Sequence, residues 1–219
     1  MDWPLLAELS EEDRRRFLTV ARRRRFARNE VVFHAGDPGD SLHLVATGRF
    51  AVWVSTAKGD TTMLSVVGMG DYFGELALVD KTDRRSATVT ALEPAETLSV
   101  RREEFDRLRG DHPSVDRMLV AALAGQLRSK SELIMEMLYV PAETRVLRRL
   151  LEVAQLWGGP SPGLVIPLTQ EDLAGLAGTT RPTANRTLRQ AEAVGLLTLG
   201  RGRIELVDPV SLAARARVS

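Results

Sequence analysis

Phe73-Gly74-Glu75-Leu76-Ala77-Leu78, followed ten residues after the glutamate by Arg85-Ser86-Ala87-Thr88, decides how the rest of the chain is read. One carboxylate, one guanidinium, one hydroxyl and several amide hydrogens lie close together in sequence. That inventory suits a small ligand carrying both a phosphate and a free sugar hydroxyl. An arginine fork matches phosphate oxygens. Amides at the start of a short helical turn add partial positive charge, and Glu75 can accept a hydrogen bond from a ribose hydroxyl. The residues predict a nucleotide-sensing site.

Around this cassette, residues 31 to 100 alternate short β-rich runs with turn signals, as a small antiparallel barrel or sandwich does. Val31-Val32-Phe33 leads into Gly36-Asp37-Pro38-Gly39-Asp40, Leu42 to Val45 ends at Thr47-Gly48, and Phe50 to Val54 reaches a turn at Lys58-Gly59-Asp60. Met63 to Val67 meets Gly68-Met69-Gly70-Asp71, and Val89, Leu92 and Leu98 continue the pattern. Upstream, Glu11 to Arg24 reads as a charged helix. Its run Arg22 to Arg25 reads as a solvated face in preference to a docking surface.

Downstream, Asp111-His112-Pro113 marks a helix start, with proline in the first turn where its missing amide is harmless. The helix runs to about Tyr139, and Val120, Leu123, Leu127, Ile134 and Met137 keep the three-four spacing of a coiled-coil seam. Lys130 and Ser131 interrupt it. A polar pair in such a seam either specifies register and oligomeric state or faces a polar ligand. Pro141 ends the helix at a hinge.

From Thr144 the pattern becomes helical, with Val146, Leu147, Leu150, Leu151 and Ala154 on one face, a turn-rich loop from Gly158 to Gly163 and a short strand at Leu164-Val165-Ile166. Leu168 to Leu188 then reads as helix-turn-helix. Thr169 caps the first helix, Gly178 makes the turn, and Thr180 caps the second, which tolerates Pro182 in its first turn. Arg181, Thr183, Asn185 and Arg186 fall toward the start of the second helix, the end that enters the major groove in such motifs. An arginine fork contacts guanine O6 and N7, each good pair giving roughly 1 to 3 kcal/mol of discrimination. Thr179 and Thr180 suit phosphate contacts. Leu196 to Val207 reads as a β-hairpin whose basic tip, Gly200-Arg201-Gly202-Arg203, is a wing.

Composition narrows the alternatives. The 219 residues contain no cysteine and three histidines, which excludes disulfides, cysteine-ligated zinc and iron–sulfur clusters and disfavours a metal or redox sensor. The net charge of +1 hides an asymmetry: Thr144 to Ser219 holds ten Lys/Arg and six Asp/Glu, and the rest holds 20 and 23. The basic end is the better partner for a polyanion. Met1-Asp2-Trp3-Pro4 opens no signal-peptide core and no apolar run reaches membrane-spanning length, so the expectation is a cytoplasmic protein without membrane contact. An enzyme with Glu75 as base and Arg85 as phosphate clamp lacks any supporting histidine cluster, metal constellation or P-loop, and the chain is read as no enzyme.

The whole order resembles the CRP/FNR family of bacterial transcription regulators, above all in Gly74-Glu75-Leu76 with Arg85-Ser86-Ala87-Thr88 and in Thr169-Gln170-Glu171-Asp172-Leu173 running into Gly178-Thr179-Thr180-Arg181. The resemblance implies an α+β chain: a jelly-roll-like cyclic-nucleotide-binding β-barrel over 1–110, a dimerisation helix over 111–140 and a winged helix-turn-helix over 141–219. It implies that Arg85 and Ser86 hold a cyclic phosphate with the backbone of Gly74 and Ala87, beside Leu76, while Glu75 binds the ribose. In cyclic-AMP-binding members a threonine–serine pair on the long helix touches the adenine. Ser131 matches the serine, but Lys130 replaces the threonine, which leaves open cyclic AMP, another nucleotide or metabolite, or a cation in place of ligand.

On the DNA side, the resemblance assigns guanine reading to Arg181 and Arg186, with Pro182 replacing an intervening glutamate. Thr169, Gln170, Thr179, Thr180, Thr183, Asn185, Arg201 and Arg203 complete the expected interface. The implied partners are double-stranded DNA with a two-fold symmetric operator, a second copy of the chain through the long helix, and RNA polymerase near Gly158 to Gly163.

Overall fold

The computed structural model describes residues 3–55, 59–79 and 84–217, except the side chain of Ala77; Met1, Asp2, Lys58 and Ser219 of the readings above lie outside them. The chain divides into two compact units, residues 1–61 with 65–129 and residues 62–64 with 130–219.

In the first unit, a 3-10 turn at Pro4–Leu6 precedes α1 (Glu11–Val20). Ser10 caps α1 by accepting from the Asp13 amide at 3.1 Å, with Glu11, Glu12 and Asp13 in its first turn, where negative charge is favoured. The expected helix to Arg24 stops at Val20, because Arg22–Phe26 is an extended strand, β1. Arg23 and Arg25, two apart and so on one face of the strand, both pair with Glu96 at 2.8 Å, and Phe26 enters the core. A helix would turn those two arginines to different sides.

The strands β2 (Val31–Phe33), β3 (Ser41–Thr47), β4 (Phe50–Ser55), β5 (Thr61–Val67), β6 (Tyr72–Phe73), β7 (Thr88–Ala91) and β8 (Ala95–Arg101) follow, with a four-residue helix, α2 (Leu76–Val79), after β6. They form two four-stranded sheets, β1-β8-β3-β6 and β2-β7-β4-β5. β7 buries alternate residues, and Val89 and Ala91 join Phe26, Val45, Phe50 and Phe73 in a core drawn from both sheets. A second core packs Phe17 of α1, Phe105 of α3 (Arg102–Asp111) and Val115 and Met118 of α4 (Pro113–Tyr139) with Leu42, Leu44 and Val100. This packing fixes the start of the long helix to β3 and β8. The helix α3 escaped the sequence reading.

The second unit carries the remainder of α4, then α5 (Ala142–Leu156), β9 (Val165–Ile166), α6 (Gln170–Leu176), α7 (Arg181–Ala193), β10 (Leu197–Gly200), β11 (Arg203–Leu206) and α8 (Pro209–Arg217). The three strands pair in the order β10-β11-β9. Val146, Leu147, Leu150 and Ala154 are buried along α5 as the three-four spacing predicts, together with Leu173, Leu188 and Leu206. The final helix α8, which buries Leu212, was not anticipated. Among the described residues, no helix is long and apolar enough to cross a membrane.

Candidate ligand pocket and nucleic-acid interface

The cassette is assembled between β6 and β7. Gly74 has φ +87°, and a Cβ there would stand 2.7 Å from Arg85 Nη1 and 2.8 Å from the Ser41 carbonyl, so only glycine admits this approach. The Arg85 side chain is buried and stacks over the Phe33 ring at 4.0 Å. Its Nη1 donates to the carbonyls of Ser41 (2.7 Å) and Gly74 (3.3 Å), and its Nη2 to Ser41 Oγ (2.9 Å) and Asp40 Oδ1 (3.0 Å). Arg85 Nε is buried and has no acceptor among the described residues. Burial lowers the pKa of the guanidinium while the Asp40 carboxylate opposes that shift; it stays charged. Burial raises the pKa of Asp40, but the Ser41 hydrogen bond and the Arg85 charge outweigh it and hold the carboxyl below its ordinary range.

Asp40 and Ser41 were missed as part of this site, since they end a Gly-Asp-Pro-Gly turn and read as turn residues. Behind them, His43 Nε2 lies 3.2 Å from Ser41 Oγ, His43 Nδ1 lies 3.0 Å from Thr97 Oγ1, and the ring stacks on Phe73 at 5.0 Å. Because Ser41 gives its hydroxyl hydrogen to Asp40, the network assigns the proton to Nε2, which donates to Ser41. Burial, and then the positive charge of Arg85, push the imidazole pKa down to about 3, so it is neutral.

Glu75 is buried and accepts from Gln126 Nε2 of α4 at 3.0 Å; the same nitrogen lies 3.4 Å from the Tyr72 hydroxyl. Leu76 is exposed, Ser86 is exposed and Ala87 is buried. Gln126 of α4 thus meets the cassette, a residue the sequence did not single out. Lys130 and Ser131 are exposed on the stretch of α4 that belongs to the second unit. Val120, Leu127, Ile134, Met137 and Leu138 are exposed as well, and the Met137 side chain also reaches Gly178.

In the second unit, Thr169 forms a capping box: its hydroxyl accepts from the Asp172 amide at 3.1 Å and Asp172 accepts from the Thr169 amide at 2.7 Å. Gly178, with φ +57°, makes the turn, and Met137 fills the space a Cβ would need. Thr180 caps α7, and Pro182 sits in its first turn. Thr169, Gln170, Glu171, Arg181 and Arg203 line a cleft of about 310 Å³ that joins the starts of α6 and α7 to the β10–β11 hairpin. Arg186 and Arg201 are exposed, Thr179, Thr183 and Asn185 half-buried. Both arginines assigned to base reading face carboxylates: Arg181 Nη1 lies 3.7 Å from Glu171, and Arg186 Nη2 lies 2.9 Å from Glu143 of α5.

Arg145 is the other residue the sequence did not disclose as structural. It is buried, and donates to the carbonyls of Ala177 (3.0 Å) and Gly178 (3.1 Å) at the end of α6 and of Met137 (3.3 Å) and Val140 (2.7 Å) at the end of α4. One cation thus serves the negative ends of two helices. Its place in an otherwise amphipathic helix gave no signal, because basic residues on α5 ordinarily face water.

The model of the cyclic nucleotide-binding domain matches residues 23–112, and that of the Crp-like helix-turn-helix domain matches residues 144–215. Over 210 residues the chain is 33% identical to the cyclic AMP receptor protein of Thermus thermophilus, covering 95% of this chain and 94% of that one. It is 30% identical over 195 residues to the CRP-like cAMP-activated global transcriptional regulator of Mycobacterium tuberculosis, covering 88% and 87%. The crystal structure of the Thermus thermophilus catabolite activator protein aligns with a TM-score of 0.56 and 31% identity, over 97% of this chain and 98% of that one.

Proposed function

Because the chain belongs to the CRP/FNR family of transcription regulators, we propose that it acts as a homodimer on a two-fold symmetric operator in double-stranded DNA, under control of a cyclic nucleotide, cyclic AMP. Arg85 and Ser86 take the cyclic phosphate with the backbone of Gly74 and Ala87, Leu76 lies alongside, and Glu75 takes a ribose hydroxyl. The carrying observation is Arg85 Nε, a buried donor without an acceptor among the described residues. A phosphate oxygen would satisfy it, and a buried cationic donor left unpaired is costly. That both curated relatives bear cyclic AMP in their names supports the same ligand.

The exposed apolar row Val120, Leu127, Ile134 and Leu138 supports pairing of two long helices. In such a dimer the two copies of α7 meet successive major grooves about 34 Å apart. Arg181 and Arg186 read guanines, with Thr183 and Asn185 beside them. Thr169, Gln170, Thr179, Thr180, Arg201 and Arg203 contact the backbone, and the loop from Gly158 to Gly163 is offered to RNA polymerase. Nucleotide binding shifts the population toward the arrangement that satisfies the operator spacing.

Operator affinity with and without cyclic AMP tests this reading. A rise on adding the nucleotide is expected, together with loss of nucleotide binding in Arg85→Ala; no change in affinity removes cyclic-AMP control. A second reading, control by a different nucleotide, is favoured by Lys130, whose ammonium stands where the family resemblance puts a threonine. Calorimetry with cyclic AMP, cyclic GMP and cyclic di-GMP on the native chain and on Lys130→Thr separates the two.

A further inference from the structure

We propose that Glu143 and Glu171 are intramolecular competitors for DNA: each carboxylate occupies one of the arginines assigned to base reading and thereby sets how tightly the interface takes any duplex. The inference rests on the assignment of Arg181 and Arg186 to the DNA surface. It goes beyond that assignment in giving two acidic residues a part in DNA affinity.

The geometry is specific. Glu143 sits in the first turn of α5 and reaches Arg186 at 2.9 Å, while Glu171 sits in the first turn of α6 and faces Arg181 at 3.7 Å. Two glutamates on two different helices thus meet two of the three arginines that α7 projects outward. Helix starts favour negative charge, so the carboxylates sit where they are electrostatically welcome. Glu143 is held ionised by a backbone hydrogen bond at its own amide, by the Arg186 hydrogen bond and by the nearby Arg145 charge, which together keep its pKa below the ordinary range. A carboxylate presents a guanidinium with the same paired oxygens and the same charge sign as a phosphate. An arginine already paired therefore gains little by exchanging its glutamate for a phosphate of arbitrary sequence.

The pairs are exposed, with side-chain accessibilities of 61% and 46% for Arg186 and Glu143 and 68% and 69% for Arg181 and Glu171. Such pairs are worth roughly two- to fivefold in an equilibrium. That size lets a bidentate guanine contact displace the glutamate, while a single phosphate contact only matches it.

The test uses the full chain and a random-sequence duplex, with affinity followed by fluorescence anisotropy across salt. Glu143→Gln and Glu171→Gln are each expected to tighten binding two- to fivefold at low salt. Each should steepen the slope of log affinity against log salt by about one, the signature of one additional phosphate contact. Glu152→Gln, which removes the same charge from α5 without touching Arg186, should behave as the native chain. In an Arg186→Ala background, Glu143→Gln should have no effect. Equal behaviour of Glu143→Gln and Glu152→Gln, or a Glu143→Gln effect that survives without Arg186, overturns the inference. If Arg186→Ala and Arg181→Ala leave DNA affinity untouched, it is the assignment of those arginines that fails.

Discussion

Gln126 of α4 donates a hydrogen bond to the buried carboxylate of Glu75 at 3.0 Å. The residue proposed to hold the ribose is thereby tied to the helix proposed to pair two protomers. A hydroxyl arriving at Glu75 must share that carboxylate with Gln126, so ligand and helix report to one acceptor. Replacing Gln126 by Ala should leave cyclic-AMP affinity for the free protein within about threefold, since the amide makes no proposed ligand contact. The ratio of operator affinities with and without nucleotide should fall about five- to tenfold, a loss within the usual range of coupling free energies. Calorimetry and operator titration on the same preparation check both; an unchanged ratio would place the coupling elsewhere.

His43 gives the first unit a defined acid sensitivity. Its folded pKa, depressed to about 3 by burial and by Arg85, lies below the ordinary unfolded value of about 6.5. Above pH ~6.5 neither state binds the proton. Between about 6.5 and 3 the unfolded chain is protonated and the folded one is not, so stability falls with falling pH by up to about 1.4 kcal/mol per unit. Glutamine at 43 can keep hydrogen bonds to Ser41 and Thr97 without titrating. Urea unfolding between pH 6.5 and 4.5, above the range of the lowered Asp40 carboxyl, should show a shallower pH dependence in His43→Gln. Parallel curves would mean that His43 takes up its proton while folded.

Much of this was legible before the structure, and the failures share a cause. The strands β2 to β5 announced themselves as short β-rich runs between turn signals, with Val89, Leu92 and Leu98 continuing the pattern, and the helix-turn-helix by the caps Thr169 and Thr180, because those signals are local. Arg22–Phe26 misled because charge density resembles a solvated helix, and only the cross-strand partner Glu96 reveals the strand. Asp40, Gln126, Glu143 and Arg145 act on Arg85, Glu75, Arg186 and Ala177, which lie 45, 51, 43 and 32 residues away in sequence. Contacts at that range leave no periodicity to read.

The exposed apolar row on α4 predicts assembly state. Leu127 and Ile134, seven residues apart and 69% and 57% exposed, lie on one face of the helix. Ile134→Glu places two like charges together in a two-fold seam and leaves the single-chain core untouched. Sedimentation should show the native chain as a dimer and the variant as a monomer whose first unit still binds cyclic AMP. A variant that stays dimeric would move the interface off this row.

Arg145 should separate presentation of α7 from ligand binding. Its four carbonyl acceptors close the end of α6 beside the turn into α7 and the end of α4 beside Pro141, so the guanidinium ties the recognition helix to the long helix within the second unit. Lysine in its place offers a point charge without the planar fork and cannot serve all four oxygens. Each lost charged hydrogen bond costs about 1.5 to 3 kcal/mol before the site relaxes. Arg145→Lys should therefore lower the unfolding free energy of the second unit by a few kcal/mol and weaken operator binding at least tenfold. Cyclic-AMP affinity, proposed to rest on Arg85 and Glu75 of the first unit, should stay within about twofold, and that contrast distinguishes misplacement of α7 from general unfolding. If the variant melts lower yet binds operator as the native chain does, Arg145 supports the fold of the second unit without positioning its recognition helix.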